Sequence, residues 1–151
     1  MPNASTATGR KTVTFVDTNV LVYAYDATDP QKQTLAQSAL TQLWSERTGV
    51  LSAQVLQEFY AVATARQKLA MTPAEAREIV ELYSTWPVVL IEPSLILTAS
   101  RLHEQHSVSF WDALIVEAAS VAGAGRLLTE DLADGQEIQG VQIENPFRTA
   151  S

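Results

Sequence analysis

The stretch TVTFVDTNVLVYAYD, residues 12–26, contains the pattern from which the fold can be inferred. Its first part, residues 13–16, is a short apolar run that predicts a buried β-strand. Asp17 follows directly, and a helix is predicted to begin through Thr18 and Asn19. In an open parallel α/β sheet, ligands bind beyond the carboxyl ends of the strands. The position of Asp17 therefore makes it a candidate functional carboxylate.

The chain is long enough for one domain, which we predict to span residues 12–147 of the 151. Residues 1–11 are small, polar and aperiodic and are predicted to form a disordered tail, with a short C-terminal tail at 148–151. The absence of cysteine excludes disulfide bonds and thiolate chemistry. No apolar run approaches the roughly 18 residues needed to cross a bilayer, and the N-terminus lacks the apolar region of a secretory signal. We therefore expect a cytoplasmic protein that does not insert into membranes.

The charge of the chain is strongly negative. A net charge of −7 and a pI near 4.7 argue against broad, non-specific binding to nucleic acid, which needs a basic surface. The excess of acid is compatible with ordinary solubility, with an acidic metal site or with a basic protein partner. The positions of the acidic residues decide among these.

Short apolar runs alternate with longer amphipathic segments along the predicted domain. Strands are predicted at residues 13–16, 50–51, 88–91, 126–129 and 141–143. Helices are predicted at residues 20–25, 31–48, 53–68, 73–85, 93–106 and 110–122. Ser52 and Ser109 are expected to cap helices. Thr72 and Glu75 have the form of a capping box, and Gly49 is expected to end the second helix. The alternation predicts an α/β fold with a mostly parallel sheet of four to five strands, covered by helices on both faces.

Two acidic residues follow predicted strands. Asp17 comes after the first strand, and Asp131 comes after the fourth. Asp17 has an alternative role as the N-cap of the next helix. Asp131 has an alternative role as an ordinary loop acid, and its neighbours Glu130 and Asp134 could take its functional place. Neither residue is decisive alone.

Two further acidic residues lie on predicted helices. Glu58 shares a helix face with Val55 and Val62, where a carboxylate is costly unless it is paired or bound to metal. Its long side chain could instead reach water. Asp112 stands in the first turn of its helix, which suits a ligand that points into a cleft. The same position suits a residue that completes a cap with Ser109 or interacts with the helix dipole.

The four carboxylates are more informative together than separately. If the first and fourth strands are adjacent, Asp17 and Asp131 emerge side by side, and the helices that carry Glu58 and Asp112 can flank the same crevice. Clustered carboxylates repel one another, which raises their pKa values, and a bound hard cation removes that penalty. A site with only oxygen ligands selects Mg²⁺ or Mn²⁺ over zinc.

Four sequence motifs occur in an order that resembles the PIN domain family of nucleases. They are Asp17-Thr18-Asn19-Val20-Leu21, the helix around Glu58, Ser109-Phe110-Trp111-Asp112-Ala113-Leu114-Ile115 and Thr129-Glu130-Asp131-Leu132. The match in spacing extends from about residue 13 to the ending Asn145-Pro146-Phe147. The compact domain and this ending are similar, more narrowly, to the VapC-type toxins of bacterial toxin–antitoxin pairs.

The resemblance implies a three-layer α/β/α sandwich and an endoribonuclease that hydrolyses RNA with Mg²⁺ or Mn²⁺ and is inhibited by an antitoxin protein. By this match, the catalytic and metal-binding acids would be Asp17, Glu58, Asp112 and Asp131. Two polar neighbours, Asn19 and Thr129, would orient them. Asp17 and Asp112 would be the main metal ligands, and the mechanism needs no nucleophilic serine or cysteine.

The RNA phosphates would need basic side chains near the acids despite the negative net charge. The candidates are Lys32, Arg47, Arg66, Lys68 and Arg101, whose alternative role is ordinary solvated surface. We predict a homodimer, which could bring two basic patches together, with an apolar interface near residues 35–44 or 60–69. A solution mass of 16.5 kDa, the mass of one chain, would contradict the dimer.

Other functions are compatible with acids at strand ends. The main alternative is a non-catalytic, metal-binding regulatory or protein-interaction module of α/β fold. A receiver-type domain would carry a lysine near the end of its last strand, and residues 136–141 contain none. A phosphatase with Asp17 as nucleophile would carry a second acid where Asn19 stands. The acidic pI also allows a basic protein to be the main partner, with weak RNA binding.

Overall fold

The computed structural model describes residues 11–148 of the chain. The predicted N-terminal tail therefore lies, except for Lys11, outside the described residues, as do residues 149–151 of the predicted C-terminal tail. Between residues 11 and 148, no helix has the length and apolar character needed to span a membrane.

A six-stranded sheet forms the centre of the described domain. Its strands are β1 Thr14–Val16, β2 Gly49–Ser52, β3 Val88–Val89, β4 Arg126–Leu128, β5 Glu137–Ile138 and β6 Val141–Glu144. Their order in the sheet is β3-β2-β1-β4-β6-β5, and all neighbours are parallel except β5 and β6. All residues of β1 are buried, as expected for a central strand. The predicted α/β fold with a mostly parallel sheet is confirmed.

The sheet contains one strand more than the four to five predicted. β5 pairs with β6 through Ile138 and Val141, and the two residues between them, Gln139 and Gly140, have positive φ angles of 54° and 77°. Two successive positive φ angles identify a type I′ hairpin turn. A two-residue strand offers almost no alternation to detect, and glutamine is not among the residues that usually signal this turn. The sequence pattern therefore did not reveal β5.

Six helices cover the sheet in the described residues. They are α1 Thr18–Ala24, α2 Pro30–Glu46, α3 Ala53–Thr64, α4 Pro73–Tyr83, α5 Pro93–His106 and α6 Phe110–Val121. Their starts agree with the predicted caps, since Ser52 caps α3 and Thr72 and Glu75 form a complete capping box on α4. α1 begins at Thr18, as predicted, and the Asp17 carboxylate caps it by accepting a hydrogen bond from the Thr18 N–H.

Five of the six helices end one to four residues earlier than predicted, among them α2 and α3. α2 ends before Arg47, which adopts the left-handed conformation with φ 60°, so the prediction that Gly49 ends this helix is wrong. Gly49 instead begins β2, where the Trp86 ring lies 2.5 Å from the position that a Cβ atom would occupy. Packing therefore requires the glycine. α3 ends at Thr64 rather than near residue 68, and Lys68 lies on the turn that follows.

The helices form two groups. α1 contacts α2 and α3, and α3 contacts α4, whereas α5 packs along α6. From β1 the chain passes through the first group to β2 and β3 on one side, and α5 and α6 then return it to β4 on the other side of β1. Since such crossovers are right-handed, the two groups cover opposite faces of the sheet. The reversal of strand order lies between β1 and β4.

Candidate active site

The reversal of strand order between β1 and β4 is the place where open α/β sheets bind ligands. Val16 of β1 and Leu128 of β4 are register partners, and the Asp17 N–H donates to the Leu128 carbonyl oxygen at 3.0 Å. The next residues along the two strands, Asp17 and Thr129, are therefore held side by side by the backbone. Both are buried, Asp17 with 5% and Thr129 with 0% of its surface exposed.

A hydrogen-bond network joins the side chains at these strand ends. The Thr129 hydroxyl donates to Asp17 Oδ2 at 2.8 Å and accepts from the Asp131 N–H at 3.0 Å. The Asn19 amide nitrogen lies 3.3 Å from Asp17 Oδ2, 3.1 Å from Asp131 Oδ2 and 3.2 Å from Thr129 Oγ1. The Thr18 N–H donates to Asp17 Oδ1 at 2.7 Å. Asp17 thus caps the helix and is at the same time the centre of a polar network.

Glu58 reaches the same region from α3. The Thr18 hydroxyl donates to Glu58 Oε1 at 2.6 Å, and the Gln54 amide donates to Glu58 Oε2 at 3.2 Å. Because the Thr18 N–H also binds Asp17, Thr18 connects the strand-end carboxylate with the helix carboxylate. Glu58 is half-buried, and both oxygens of its carboxylate accept hydrogen bonds.

Asp112 lies in the first turn of α6, where its N–H donates to the Ser109 hydroxyl at 3.0 Å. Burial raises the pKa of the Asp112 carboxyl, the Ser109 contact opposes this rise, and the negative charges of Asp131 and Glu58 add to it. Asp112 is therefore close enough to both carboxylates to interact with them electrostatically.

Asp17 has the most perturbed carboxyl group of the site. Burial raises its pKa from 3.8 to about 7, hydrogen bonds from Thr129 and Thr18 oppose the rise, and the charges of Asp131 and Glu58 add to it. The four predicted acids thus form one electrostatically coupled group.

The described residues provide no basic side chain to neutralise this group. The four ion pairs found between residues 11 and 148 are Lys11–Glu46, Lys32–Glu130, Arg126–Glu144 and Arg148–Asp134. None includes a predicted site acid. The same residues contain no three His, Asp or Glu side chains in an arrangement that already forms a metal-binding group. Uncompensated oxygen donors fit a hard divalent cation in charge and chemistry, whereas coordination would require some side chains to leave their present hydrogen bonds.

A cleft of about 490 Å³ is lined by two of the predicted acids, Glu58 and Asp131, whereas Asp17 and Asp112 do not line it. Its lining residues come from α1, α3, the turn after α3 and the segment after β4, and they are Thr18, Asn19, Val22, Tyr23, Asp26, Glu58, Val62, Lys68, Glu130 and Asp131. Among these residues, the basic side chain is Lys68. The lining therefore combines four carboxylates with apolar side chains and one lysine.

The five basic candidates differ in their surroundings. Lys32 donates to Glu130 Oε2 at 2.8 Å and to the Tyr23 hydroxyl at 3.3 Å, and its Nζ lies 4.6 Å from the centre of the Tyr23 ring. Its charge is thus compensated locally. Arg47 lines a separate cavity beside Trp86. The remaining two, Arg66 and Arg101, are exposed and do not line the cleft.

The structure also separates Asp131 from its two acidic neighbours. Asp131 joins the Asn19 network, whereas Glu130 binds Lys32 and Asp134 pairs with Arg148.

The sequence pattern did not indicate the hydrogen bonds that Thr18 and Gln54 make at the site. Gln54 could have been found, because residues four apart on a helix face the same side and Gln54 precedes Glu58 by four.

Comparisons with known proteins agree with this architecture. A toxin–antitoxin complex from Klebsiella pneumoniae has a similar structure with a TM-score of 0.65 and 19% identity, covering 88% of this chain and 97% of that chain. VapC20 of Mycobacterium tuberculosis, a sarcin–ricin loop cleaving toxin, is similar with a TM-score of 0.58 and 22% identity over 76% of this chain and 86% of its own. DNA-bound VapBC of Salmonella typhimurium is similar with a TM-score of 0.64 and 17% identity over 90% and 99%.

Sequence comparisons give a family but no close relative. No curated protein matches the chain significantly. The model of the PIN domain matches residues 14–133, which include all four predicted site acids. The chain therefore belongs to the PIN domain family.

Proposed function

We propose that this PIN domain is an endoribonuclease that hydrolyses RNA phosphodiester bonds with Mg²⁺ or Mn²⁺, and that it is the toxin of a toxin–antitoxin pair. The observation that carries the proposal is the coupled group of carboxylates at the strand reversal, in which the buried Asp17 has a pKa of about 7 and no basic side chain among residues 11–148 pairs with the group. A bound cation offsets the burial and repulsion that penalise the charged form of such a group.

The side chains divide the work as follows in this proposal. Asp17 and Asp112 are the main metal ligands, and Asp131 and Glu58 complete the site directly or through water. When bound, the ion supplies an activated water and stabilises charge on the scissile phosphate. Asn19 and Thr129 hold the Asp17 carboxylate in one orientation. Asp131 or Glu58 accepts a proton from the attacking water as general base.

RNA is the proposed substrate because the cleft lined by Glu58 and Asp131 also contains Lys68, which can contact a phosphate. The similar VapC20 protein, a sarcin–ricin loop cleaving toxin, supports this choice. The net charge of −7 indicates that binding depends on a few local contacts and not on a broad basic surface.

An antitoxin protein and a second copy of the chain are the proposed partners. Similar structures are toxin–antitoxin complexes, and the acidic chain favours a partner segment with basic residues. Of the two surfaces expected to form a dimer, residues 35–44 contribute Leu40 and Leu43 to the core, whereas Tyr60 is 38% exposed. Residues 60–69 are therefore the better candidate. A cytoplasmic location is part of the same proposal, because substrate and antitoxin would be met there.

The test is an RNA cleavage assay on wild type with Mg²⁺, on wild type with EDTA, and on Asp112→Asn with Mg²⁺. We expect EDTA to abolish cleavage and Asp112→Asn to lower the rate by more than about a hundredfold, because a metal ligand is lost. Glu104→Gln on the exposed face of α5 is the matched control and should cleave like wild type.

Two other results of these assays would argue against a ribonuclease. Equal cleavage in all samples would indicate a contaminating nuclease and contradict the proposal. The melting temperature should also rise with added Mn²⁺, since ligand at a hundredfold excess over the dissociation constant stabilises by about 2.7 kcal/mol. Stabilisation by Mn²⁺ without cleavage would instead indicate the non-catalytic metal-binding module.

A further inference from the structure

Gln54 connects the two helices that carry Glu58 and Asp112. It lies in the first turn of α3, with 7% of its surface exposed. Its amide nitrogen donates to Glu58 Oε2 at 3.2 Å and to the Trp111 carbonyl oxygen at 3.4 Å. Trp111 directly precedes Asp112 in the first turn of α6. One side-chain amide therefore binds the carboxylate of one predicted acid and the backbone next to another.

The orientation of this amide is determined by its partners. Glu58 Oε2 and the Trp111 carbonyl oxygen are both acceptors, so the group that faces them must be the nitrogen. The amide oxygen of Gln54 is buried and has no hydrogen-bond partner among the described residues. An unpartnered buried oxygen costs free energy, and an apolar side chain would avoid that cost. The two hydrogen bonds that the amide donates are therefore what favours a glutamine over an apolar side chain at this position.

We infer that Gln54 is a positioning residue that fixes the Glu58 carboxylate relative to the first turn of α6, and thereby relative to Asp112. Thr18 anchors Glu58 Oε1, and Gln54 anchors Glu58 Oε2, so both oxygens are held. Without the amide, Glu58 keeps one anchor and the α3–α6 contact loses its polar connection. This inference rests on the proposed function, because it assigns Gln54 the task of preparing the metal-binding geometry.

The experiment compares Gln54→Met with Gln57→Met. Methionine has a similar length and no donor, and Gln57 is an exposed glutamine on the same helix, so the two substitutions match in chemistry. Melting temperature is measured against Mn²⁺ concentration to obtain the apparent dissociation constant, alongside kcat at saturating Mn²⁺. We expect Gln54→Met to weaken Mn²⁺ binding about tenfold, as the loss of a group that orients a metal ligand does. Gln57→Met should bind Mn²⁺ like wild type.

The metal-free proteins separate positioning from a purely structural role. A structural role predicts a lower melting temperature without Mn²⁺ and an unchanged dissociation constant, and this result would overturn the inference. Positioning predicts a larger dissociation constant for Mn²⁺. This constant, and not the metal-free melting temperature alone, distinguishes the two roles, because the substitution removes both an unpartnered oxygen and two donated hydrogen bonds. If Gln54→Met does not fold, Gln54→Asn replaces it, since the shorter amide keeps its polarity and loses its reach.

A double-mutant cycle identifies the path of the effect. In a Glu58→Gln background, Gln54→Met should change the Mn²⁺ dissociation constant less than it does in wild type, because the carboxylate that it holds is gone. An equal change in both backgrounds would overturn the inference. If the melting temperature of wild type does not depend on Mn²⁺, both this inference and the proposed metal site are wrong. If only the variants fail to differ, the proposed function stands and the role of Gln54 is rejected.

Discussion

The two halves of the candidate site are held by different means. In the strand-end half, Asp17 and Thr129 follow paired strands, so sheet register places them, and Asn19 and Asp131 join them through a dense hydrogen-bond network. In the helix half, Glu58 and Asp112 lie on α3 and α6, and the contact between these helices at the site passes through the side chain of Gln54. Backbone pairing thus positions the first half, whereas side-chain hydrogen bonds between helices position the second.

The buried position of Asp17 changes the pKa of its carboxyl group. Because the backbone fixes this residue between β1 and β4, its carboxylate cannot move toward water, and burial raises its pKa to about 7. Asp112 is half-buried, and its pKa is raised for the same first reason, burial. The difference between the halves is therefore testable through stability without metal, where an uncompensated buried charge destabilises the fold.

The largest effect is expected from Asp17→Asn at pH 8 in EDTA. The pKa of Asp17 is higher in the folded state than its ordinary 3.8. The stability that this residue contributes is therefore fully present below pH 3.8 and is lost as the pH rises through about 7. By pH 8 this loss amounts to as much as roughly 4 kcal/mol. The asparagine side chain carries no charge at any pH, so the variant should unfold at higher urea concentration than wild type at pH 8, with a smaller difference at pH 5.

The matched substitution in the helix half is Glu58→Gln. Glutamine can still accept the Thr18 hydrogen bond, and the half-buried side chain leaves a smaller charge penalty to remove. We therefore expect a smaller change in the free energy of unfolding than for Asp17→Asn. If the metal-free Asp17→Asn protein is less stable than wild type at pH 8, the larger penalty for a buried charge does not lie in the strand-end half.

The strand-end half was largely predictable because local sequence patterns determine it. The apolar run before Asp17 and the one before Thr129 predict strands, and the adjacency of those strands brings Asp17 and Asp131 together. The position of Asn19 two residues after Asp17 makes a contact between them simple to anticipate. Here the chain direction and the register of β1 and β4 determine most of the geometry.

The helix half could be predicted in identity but not in geometry. The contact between Gln54 and Trp111 joins residues 57 positions apart, and it depends on how α3 and α6 pack. The pairing of Lys32 with Glu130, 98 positions apart, likewise removed a basic candidate that sequence position alone could not distinguish from Lys68. Interactions of this kind depend on side-chain rotamers and helix packing, for which periodicity contains no signal.

An intermediate effect is expected from Thr129→Val in the strand-end half. Valine has nearly the same shape but cannot donate to Asp17 or accept from the Asp131 N–H, and the position is fully buried. Unpaired groups at such a position cost about 1–3 kcal/mol, which urea unfolding measures. Thr129→Ser keeps the hydroxyl and should lose less. Thr18→Val, in the half-buried position beside Glu58, should also lower the free energy of unfolding by less than Thr129→Val. An equal loss would show that the hydrogen bonds of the two halves contribute equally to stability.

The smallest effect is expected at Lys68, the lysine that lines the cleft, and Lys32 serves as its comparison. Lys68→Gln should raise the KM for RNA several-fold and reduce the slope of log KM against log salt by about 0.7, the change for one lost phosphate contact to a single strand. Lys32→Gln should leave that slope unchanged, because Glu130 and Tyr23 already bind the ammonium group. The control removes the same charge from the chain, so a difference between the variants isolates position from net charge. If both variants reduce the slope equally, the RNA responds to the overall electrostatic field of the protein and does not contact Lys68 in particular.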